Sequence, residues 1–278
     1  MRYGRLSAMA AGSAGLTARL LVFAALVLLA VLAFGPASDA KRPHEENEAD
    51  GEEIPFGDAE IRIEVNSTDG DAGLQIFLDG EPWRRVRIED PRGKLVFAVD
   101  NLGKLRRLGS TELFMESNEP DFLEDMTLPE ILEFLPAGVY DFEGTTIEGE
   151  ELDGEATLTH DLPCGPVIVS PGDGDSVDPT QPVVIMWEPV THKLDTASDA
   201  GACDESSEIE IVAYEVIVEL EEAEPPQKMD IFLPGGATSV TVPEELIVPG
   251  GEYKAEVLAI EESGNQTITE LIFMTMDL

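Results

Sequence analysis

The stretch VPGGEYKAEVLA (Val248–Ala259) decides the fold of the C-terminal part of the chain. It opens with a Pro-Gly-Gly turn, and small or apolar side chains then recur at every second position from Tyr253 to Ala259. A period of two predicts a β-strand with one buried face. A second stretch, VVIMWEP (Val183–Pro189), is a short apolar run that ends at a proline. Such a run also predicts a strand.

Five further short runs with alternating or apolar patterning surround these two, and turn residues separate them. The predicted strands, lettered A to G by position, are Val167–Val169 (A), Val183–Trp187 (B), Val212–Val218 (C), Met229–Leu233, Ser239–Val242 (E), Tyr253–Ala259 (F) and Thr267–Thr275 (G). Seven short strands of this kind predict an antiparallel β-sandwich.

Several strings resemble fibronectin type III modules. They are Ile185-x-Trp187, Tyr214-x-Val216-x-Val218, Ile247-x-Pro249-Gly250-x-x-Tyr253 and Tyr253-x-Ala255-x-Val257-x-Ala259. The resemblance covers about residues 166–278 and implies an immunoglobulin-like Greek-key sandwich with a tyrosine corner at Tyr253. The B–C connection, Val190–Ser207, is enlarged relative to the family, which leaves recognition by this loop open. The chain has no Arg-Gly-Asp tripeptide, so integrin-type binding has no support.

Residues 60–163 predict a separate β-rich domain with one short helix, ahead of the fibronectin type III-like domain at 164–278. Alternation over Ile61–Val65 and Leu74–Leu78 predicts strands, and Asp79-Gly80 and Asp90–Gly93 predict turns. Thr127–Glu130 is a capping box that predicts the helix. The phrases STDGDAGLQIFLDG (67–80) and ATLTH (156–160) are similar to the front half of exported bacterial proteins that end in such a module. The fold class is therefore all-β.

The first forty residues have the pattern of a signal peptide. Arg2, Arg5 and Arg19 precede an apolar run, Leu20–Phe34, and small residues precede a cut after Ala40. The alternative is an uncleaved anchor, which would be the chain's only link to a membrane. Residues 41–59 lack apolar periodicity and predict a disordered acidic tail. The expected location is secreted or at the cell surface, either periplasmic or extracellular.

The chain carries 17 Lys+Arg against 57 Asp+Glu, a net charge of −40. Such a charge keeps a protein soluble and destabilises its compact state through self-repulsion. It favours adaptation to a saline exterior over binding of calcium or a cationic surface. Nucleic acid is excluded as an expected partner because the overall field repels it.

Both cysteines, Cys164 and Cys203, fall in the exported part, so they form either a disulfide or two free thiols. The fibronectin type III resemblance implies that the chain enters the sandwich at the pole that carries the B–C loop. Cys164 lies at this point and Cys203 lies in that loop, which favours the disulfide.

No constellation for nucleophilic or metal-assisted catalysis is present among the three histidines and their neighbours. We therefore expect no catalytic residue and no cofactor, and the chain is interpreted as a non-enzyme. Calcium is the one ion considered, because two turns offer carboxylates beside glycine. The weak candidate ligands are Asp69, Asp71, Asp173, Asp175 and Asp178.

One segment opposes the charge of the rest. Eight of its side chains are cationic: Arg84, Arg85, Arg87, Arg92, Lys94, Lys104, Arg106 and Arg107. They guard a strand edge, sit against acidic neighbours, or form a patch for an anionic partner. Trp83 beside them is interpreted as a core residue rather than a carbohydrate platform.

The sequence predicts an exported acidic binding or scaffold protein whose partner is an extracellular protein or a surface polymer. The alternative is a carbohydrate- or calcium-binding accessory protein, and a hydrolase without a known motif comes third.

Overall fold

The computed structural model describes residues Glu53–Leu278, which form one all-β unit with two short helices. The predicted all-β fold class is confirmed. The predicted signal peptide and most of the predicted acidic tail lie outside the described residues. Within Glu53–Leu278 there is no helix long and apolar enough to cross a bilayer.

The N-terminal half contains seven strands and both helices. Their bounds are β1 Ile54–Pro55, β2 Asp58–Asn66, β3 Asp71–Glu89, β4 Leu95–Asp100, α1 Leu105–Leu108, β5 Ser110–Glu116, α2 Leu128–Phe134, β6 Gly138–Thr146 and β7 Glu151–Leu158. The predicted helix is confirmed as α2. Its capping box is present, because Glu130 Oε2 accepts from the Thr127 backbone N–H at 3.0 Å.

The C-terminal half contains ten strands and a 3-10 turn, Glu244–Leu246. The strands are β8 Ile168–Ser170, β9 Ser176–Val177, β10 Val184–Trp187, β11 His192–Leu194, β12 Cys203–Glu208, β13 Ile211–Leu220, β14 Gln227–Pro234, β15 Ser239–Thr241, β16 Glu252–Glu261 and β17 Gln266–Thr275.

The long strand β3 organises the N-terminal half. Its first part pairs with β2 and β5, and its last part, from Trp83, pairs with β4 and β6. The predicted turn at Asp79-Gly80 is wrong, since β3 runs through it and only the register of pairing shifts there. Pairing with β2 and β5 stops at Asp79 and resumes at Trp83 with β5 and β6, so residues 80–82 pass the predicted turn as extended backbone between two ladders. As a result, one strand carries the ladders to β2, β4, β5 and β6 within a single sheet, and its buried side chains belong to one core.

The predicted disordered tail, residues 41–59, extends too far along the chain, because its last residues are ordered. Ile54–Pro55 pairs with β7, and Phe56 is buried in a slot where the backbones of Gly80, Gly144 and Gly154 approach its ring. A Cβ at Gly144 would come within 2.8 Å of the Phe56 ring. Burial of this aromatic side chain, next to the strand pair at Ile54–Pro55, therefore orders the end of the predicted tail.

The C-terminal half is a sandwich with the predicted strand set. Strands β8, β10 and β15 form one sheet, and β17, β16, β13 and β14 lie in order in the other. They correspond to the predicted strands A, B, E and G, F, C and the strand after C. The tyrosine corner is also present, because Tyr253 Oη donates to Leu246 O at 2.9 Å and accepts from Val248 N at 2.7 Å.

A single sheet crosses the predicted domain boundary. The last strand, β17, pairs in parallel with β2 near the start of the described chain, in the register Gln266↔Glu64 to Ile268↔Asn66. Asn265, fully buried in the turn before β17, accepts from Ile63 N and donates to Thr159 O. The division at 60–163 and 164–278 stays a prediction, but these contacts join its two parts into one hydrogen-bonded body.

The enlarged B–C connection forms a hairpin of β11 and β12 that packs on the N-terminal half. Leu128 N donates to Asp199 O at 3.1 Å, and the backbone of Gly201 lies against Leu128 and Phe122. The disulfide between Cys164 and Cys203 is confirmed and ties this hairpin to the junction between the halves.

Candidate functional site: a cationic leucine loop

The loop between β4 and β5, Leu102–Leu108, combines exposed apolar and cationic side chains. We call these seven residues (LGKLRRL) the cationic leucine loop. Three of its residues are leucines, three are cations and none is acidic. The leucines recur at three-residue intervals, and α1 forms the second half of the loop. The sequence reading identified the cations and overlooked the leucines, whose spacing was the available signal.

The base of the loop is pinned by Asn101, which is buried. Its side-chain Nδ2 donates to Trp83 O at 2.8 Å, and its backbone N–H donates to Arg84 O. Ser110 Oγ donates to Asn101 Oδ1 at 3.2 Å from the other end of the loop. Asparagine suits this position because one side chain both donates and accepts. Both stems of the loop are therefore fixed to β3.

Gly109 allows the loop to return to the sheet. Its φ of +76° lies in the left-handed region that side chains rarely adopt. A Cβ there would also approach Pro82 Cβ at 2.9 Å. Because of this tight approach, the chain turns directly into β5 and the short helix α1 projects from the surface.

The leucines of the loop are exposed to solvent although they are among the most apolar side chains. Leu102 is 75% exposed, Leu105 50% and Leu108 71%. Scattered exposed leucines are ordinary, but three within seven residues beside concentrated charge make this loop the candidate site. Lys104, Arg106 and Arg107 are exposed too, and none of them forms an ion pair with another described residue.

The structure divides the eight predicted cations into groups with different surroundings. Arg85 lies 3.9 Å from Asp100, and Arg87 pairs with Glu89. These two arginines line an open cavity of about 490 Å³ whose other charged lining residues are acidic: Glu53, Glu89, Glu143, Glu151 and Asp153. Exposed ion pairs of this kind contribute little to folding stability. Arg85 and Arg87 are thus seated against acidic neighbours.

The remaining cations of the segment do not form such ion pairs with described residues. Arg84 is half-buried beside the loop base, and Arg92 and Lys94 are exposed at the β3–β4 turn. Asp90 Oδ1 caps that turn by accepting the backbone N–H groups of both Arg92 and Lys94. Trp83 is buried at the base of the loop, so it is a core residue as predicted. The free positive charge of the segment is concentrated in the loop and this turn.

In the described part of the chain, no three of the five candidate calcium ligands bring their carboxylate oxygens within 4.8 Å of one another. In the second predicted site, Asp173 Oδ1 accepts from Ile272 N, Asp175 Oδ2 from Gly172 N and Asp178 Oδ1 from Thr180 N. These carboxylates stabilise their own turns. Asp69, in the first site, accepts from Asn66 Nδ2 at 3.3 Å. Calcium binding by any of the five stays a prediction.

Among the described residues, one acidic triplet brings carboxylate oxygens within 4.8 Å of one another: Glu64, Glu116 and Glu119. Burial is the main cause that raises the pKa of Glu64, and Gln266 Nε2 donates to its carboxylate. Burial also raises the pKa of Glu119 from 4.5 to about 7, with further contributions from Glu116, Asp71, Glu64 and Asp69. The triplet was missed because its members are far apart in sequence: Glu64 lies on β2 beside Gln266 of β17, Glu116 ends β5, and Glu119 lies in the segment after β5.

We predict that Glu119 makes folding stability fall with rising pH. Its folded-state pKa lies above its ordinary value, so the folded chain binds more protons than the unfolded chain between about pH 4.5 and 7. The free energy of unfolding contributed by this group is therefore fully present below pH 4.5 and is lost as pH rises through 7. Glu119→Gln should flatten this dependence in urea titrations at fixed ionic strength.

Glu124→Gln, at an exposed position, is the matched control and should leave the slope unchanged. A slope that is equal in wild type and Glu119→Gln would contradict the raised pKa.

Comparison with known proteins reveals similarity only at the level of structure. No protein-family model matches the chain, and no curated protein matches it in sequence. The similar solved structures are fibronectin type III domains. Domains FN1–FN3 of chicken CNTN1 align with a TM-score of 0.32 at 10% identity, over 81% of this chain and 68% of that one.

Two further structures give similar values. The fibronectin(III)-like modules of Clostridium thermocellum CbhA align with a TM-score of 0.31 at 7% identity, over 80% of this chain and 93% of that one. A two-domain fibronectin type III segment of chicken tenascin aligns at 0.27 and 12% identity, over 79% and 99%. The strand order and tyrosine corner define the C-terminal half independently as a fibronectin type III-like sandwich.

Proposed function

We propose that the chain is an exported, non-catalytic binding or scaffold protein whose partner-binding surface is the cationic leucine loop. The observation that carries this proposal is the exposure of three leucines and three unpaired cations on one anchored loop. A β-sheet scaffold that positions an exposed loop is a common arrangement for binding proteins.

The chemistry of the loop defines the chemistry of its partner. The partner presents anionic groups around an apolar surface, because the loop offers leucine side chains flanked by positive charge. Burying an exposed leucine contributes roughly 1.5–3 kcal/mol, while each peripheral charge mainly steers the encounter. An extracellular protein or an anionic surface polymer with apolar groups meets this description.

Two features support export. The disulfide between Cys164 and Cys203 suits an oxidising compartment. The apolar run Leu20–Phe34 has the composition of a signal peptide. The loop itself carries apolar groups and positive charge, which serve binding rather than acid–base or nucleophilic chemistry.

The proposal predicts that reversing loop charges abolishes partner capture. Immobilised wild-type chain is compared with Arg106→Glu/Arg107→Glu, called the loop-reversed variant, in pull-downs from extracellular and cell-surface fractions. We expect the loop-reversed variant to retain at least tenfold less of each partner. The introduced glutamates repel the anionic groups of the partner and thereby oppose burial of the leucines.

The matched control is Arg92→Glu/Lys94→Glu, which makes the same charge change at exposed residues of another turn. It should retain the wild-type partners. If all three baits retain the same partners, the loop is not the binding surface.

A further inference from the structure

The surface of α2 is the chemical complement of the cationic leucine loop. We define the acidic α2 surface by six residues of the helix and the turn before it: Leu123, Glu124, Asp125, Glu130, Glu133 and Phe134. Leu123 is 83% exposed and Phe134 79% exposed, although both are large and apolar. Four carboxylates accompany them, and no cation belongs to the set. Both sets therefore combine exposed apolar side chains with charged ones, and the signs of the charge are opposite.

Helix α2 exposes this surface because its opposite side packs against the core. Leu128, Ile131 and Leu132 are buried in the core, which leaves Glu130, Glu133 and Phe134 on the outer side of the helix. At 3.6 residues per turn these three positions fall within about 100° of arc. None of the four carboxylates forms an ion pair with a described residue.

The cationic leucine loop and the C-terminal end of α2 lie at opposite ends of the β3–β6 ladder, and the turn before α2 lies at the start of β3, where Asp121 bridges Asp71. The cationic leucine loop joins the sheet where Ser110 pairs with Trp83, which in turn pairs with Thr146. The chain leaves α2 for Gly138, which lies against Pro91 beyond the Glu89↔Asp141 pair. From Trp83 to Glu89 is six residues, or roughly 20 Å along a strand. One chain does not cover its own loop with its own α2 surface.

We propose, building on the function proposed above, that the partner of the cationic leucine loop is the acidic α2 surface of a second copy of this chain. The contact is head-to-tail, since each copy uses a different surface on each side. Contacts of this kind propagate into rings or open chains rather than stopping at a symmetric dimer. A scaffold built from repeated copies follows from this arrangement.

The large net charge does not forbid the contact. At 0.15 M ionic strength exposed charges separated by more than about 8 Å are largely screened. Repulsion between the distant acidic faces of two copies is then weak, and the charges that meet at the contact decide its sign. At the contact, three cations face four carboxylates.

Sedimentation velocity at 0.15 M salt tests this proposal. Concentrations up to about 1 mM are used so that weak complexes are populated. The wild type should sediment faster with concentration and pass beyond a dimer. The loop-reversed variant and a patch-reversed variant, Glu124→Lys/Glu133→Lys, should each associate at least tenfold more weakly. A chain that carries both reversals should regain association, because the charges are exchanged between the two surfaces.

Glu244→Lys/Glu262→Lys makes the patch-reversed charge change at exposed positions elsewhere and should behave like wild type. A wild type that stays monomeric while the pull-downs remain loop-dependent overturns self-association and leaves the proposed function standing. Association that survives both single reversals overturns it as well. Pull-downs that do not depend on the loop overturn the proposed function itself.

Discussion

Asn265→Ala should lower the free energy of unfolding by roughly 2–4 kcal/mol, because the change leaves buried polar groups without partners. Asn265 is fully buried, and its Oδ1 accepts from Ile63 N at 2.9 Å. Its Nδ2 donates to Thr159 O at 3.1 Å and to Thr159 Oγ1 at 2.9 Å. Alanine removes all of these bonds and leaves the Ile63 N–H unpaired at the junction of β2 and β17.

Equilibrium urea unfolding measures this effect, with Asn118→Ala at an exposed position as the control. The control should shift stability by less than about 0.5 kcal/mol. The wild type should unfold in one transition because the sheet is continuous. A variant as stable as wild type, or two separate wild-type transitions, would show that the β2–β17 junction does not join the halves.

Removing the disulfide should be the larger of the two effects. The bridge closes a loop over a sequence separation of 39 residues, which corresponds to roughly 3–4 kcal/mol of unfolded-state chain entropy. Cys164→Ser/Cys203→Ser should lose stability by this amount. The β11–β12 hairpin should also exchange its amide protons faster, since Cys203 begins β12.

Oxidised and reduced wild type provide the same comparison without a mutation. Reductant should lower the urea midpoint of the wild type and leave that of the double serine variant unchanged. Equal urea midpoints for oxidised and reduced wild type would show that the disulfide does not stabilise the fold.

Much of the C-terminal half was predictable because its signals are local. Alternation from Tyr253 to Ala259 requires only that one strand face be buried, and the corner requires one tyrosine near one turn. The disulfide followed from the topology that the fibronectin type III resemblance implied. The capping box of α2 is equally local, and the structure confirms it.

The features that escaped prediction depend on partners far away in sequence. Nothing near Gln266 indicates that it pairs across from Glu64, and nothing near Phe56 indicates three glycine backbones around its ring. The cations were visible in the sequence, but separating Arg87 from Arg106 required the position of Glu89 and the exposure of the loop. Local patterns predict elements, and non-local pairing decides which side chains remain free.

The most direct test of the cationic leucine loop as the binding surface is site-specific photo-crosslinking. A benzophenone amino acid replaces Leu105, and in a control chain it replaces Leu95, which is equally exposed on β4. At concentrations where the chain associates, we predict crosslinks from position 105 to residues 123–134 of a second copy and few from position 95. Equal crosslinking from both positions, or none from position 105 to any partner, would contradict the account.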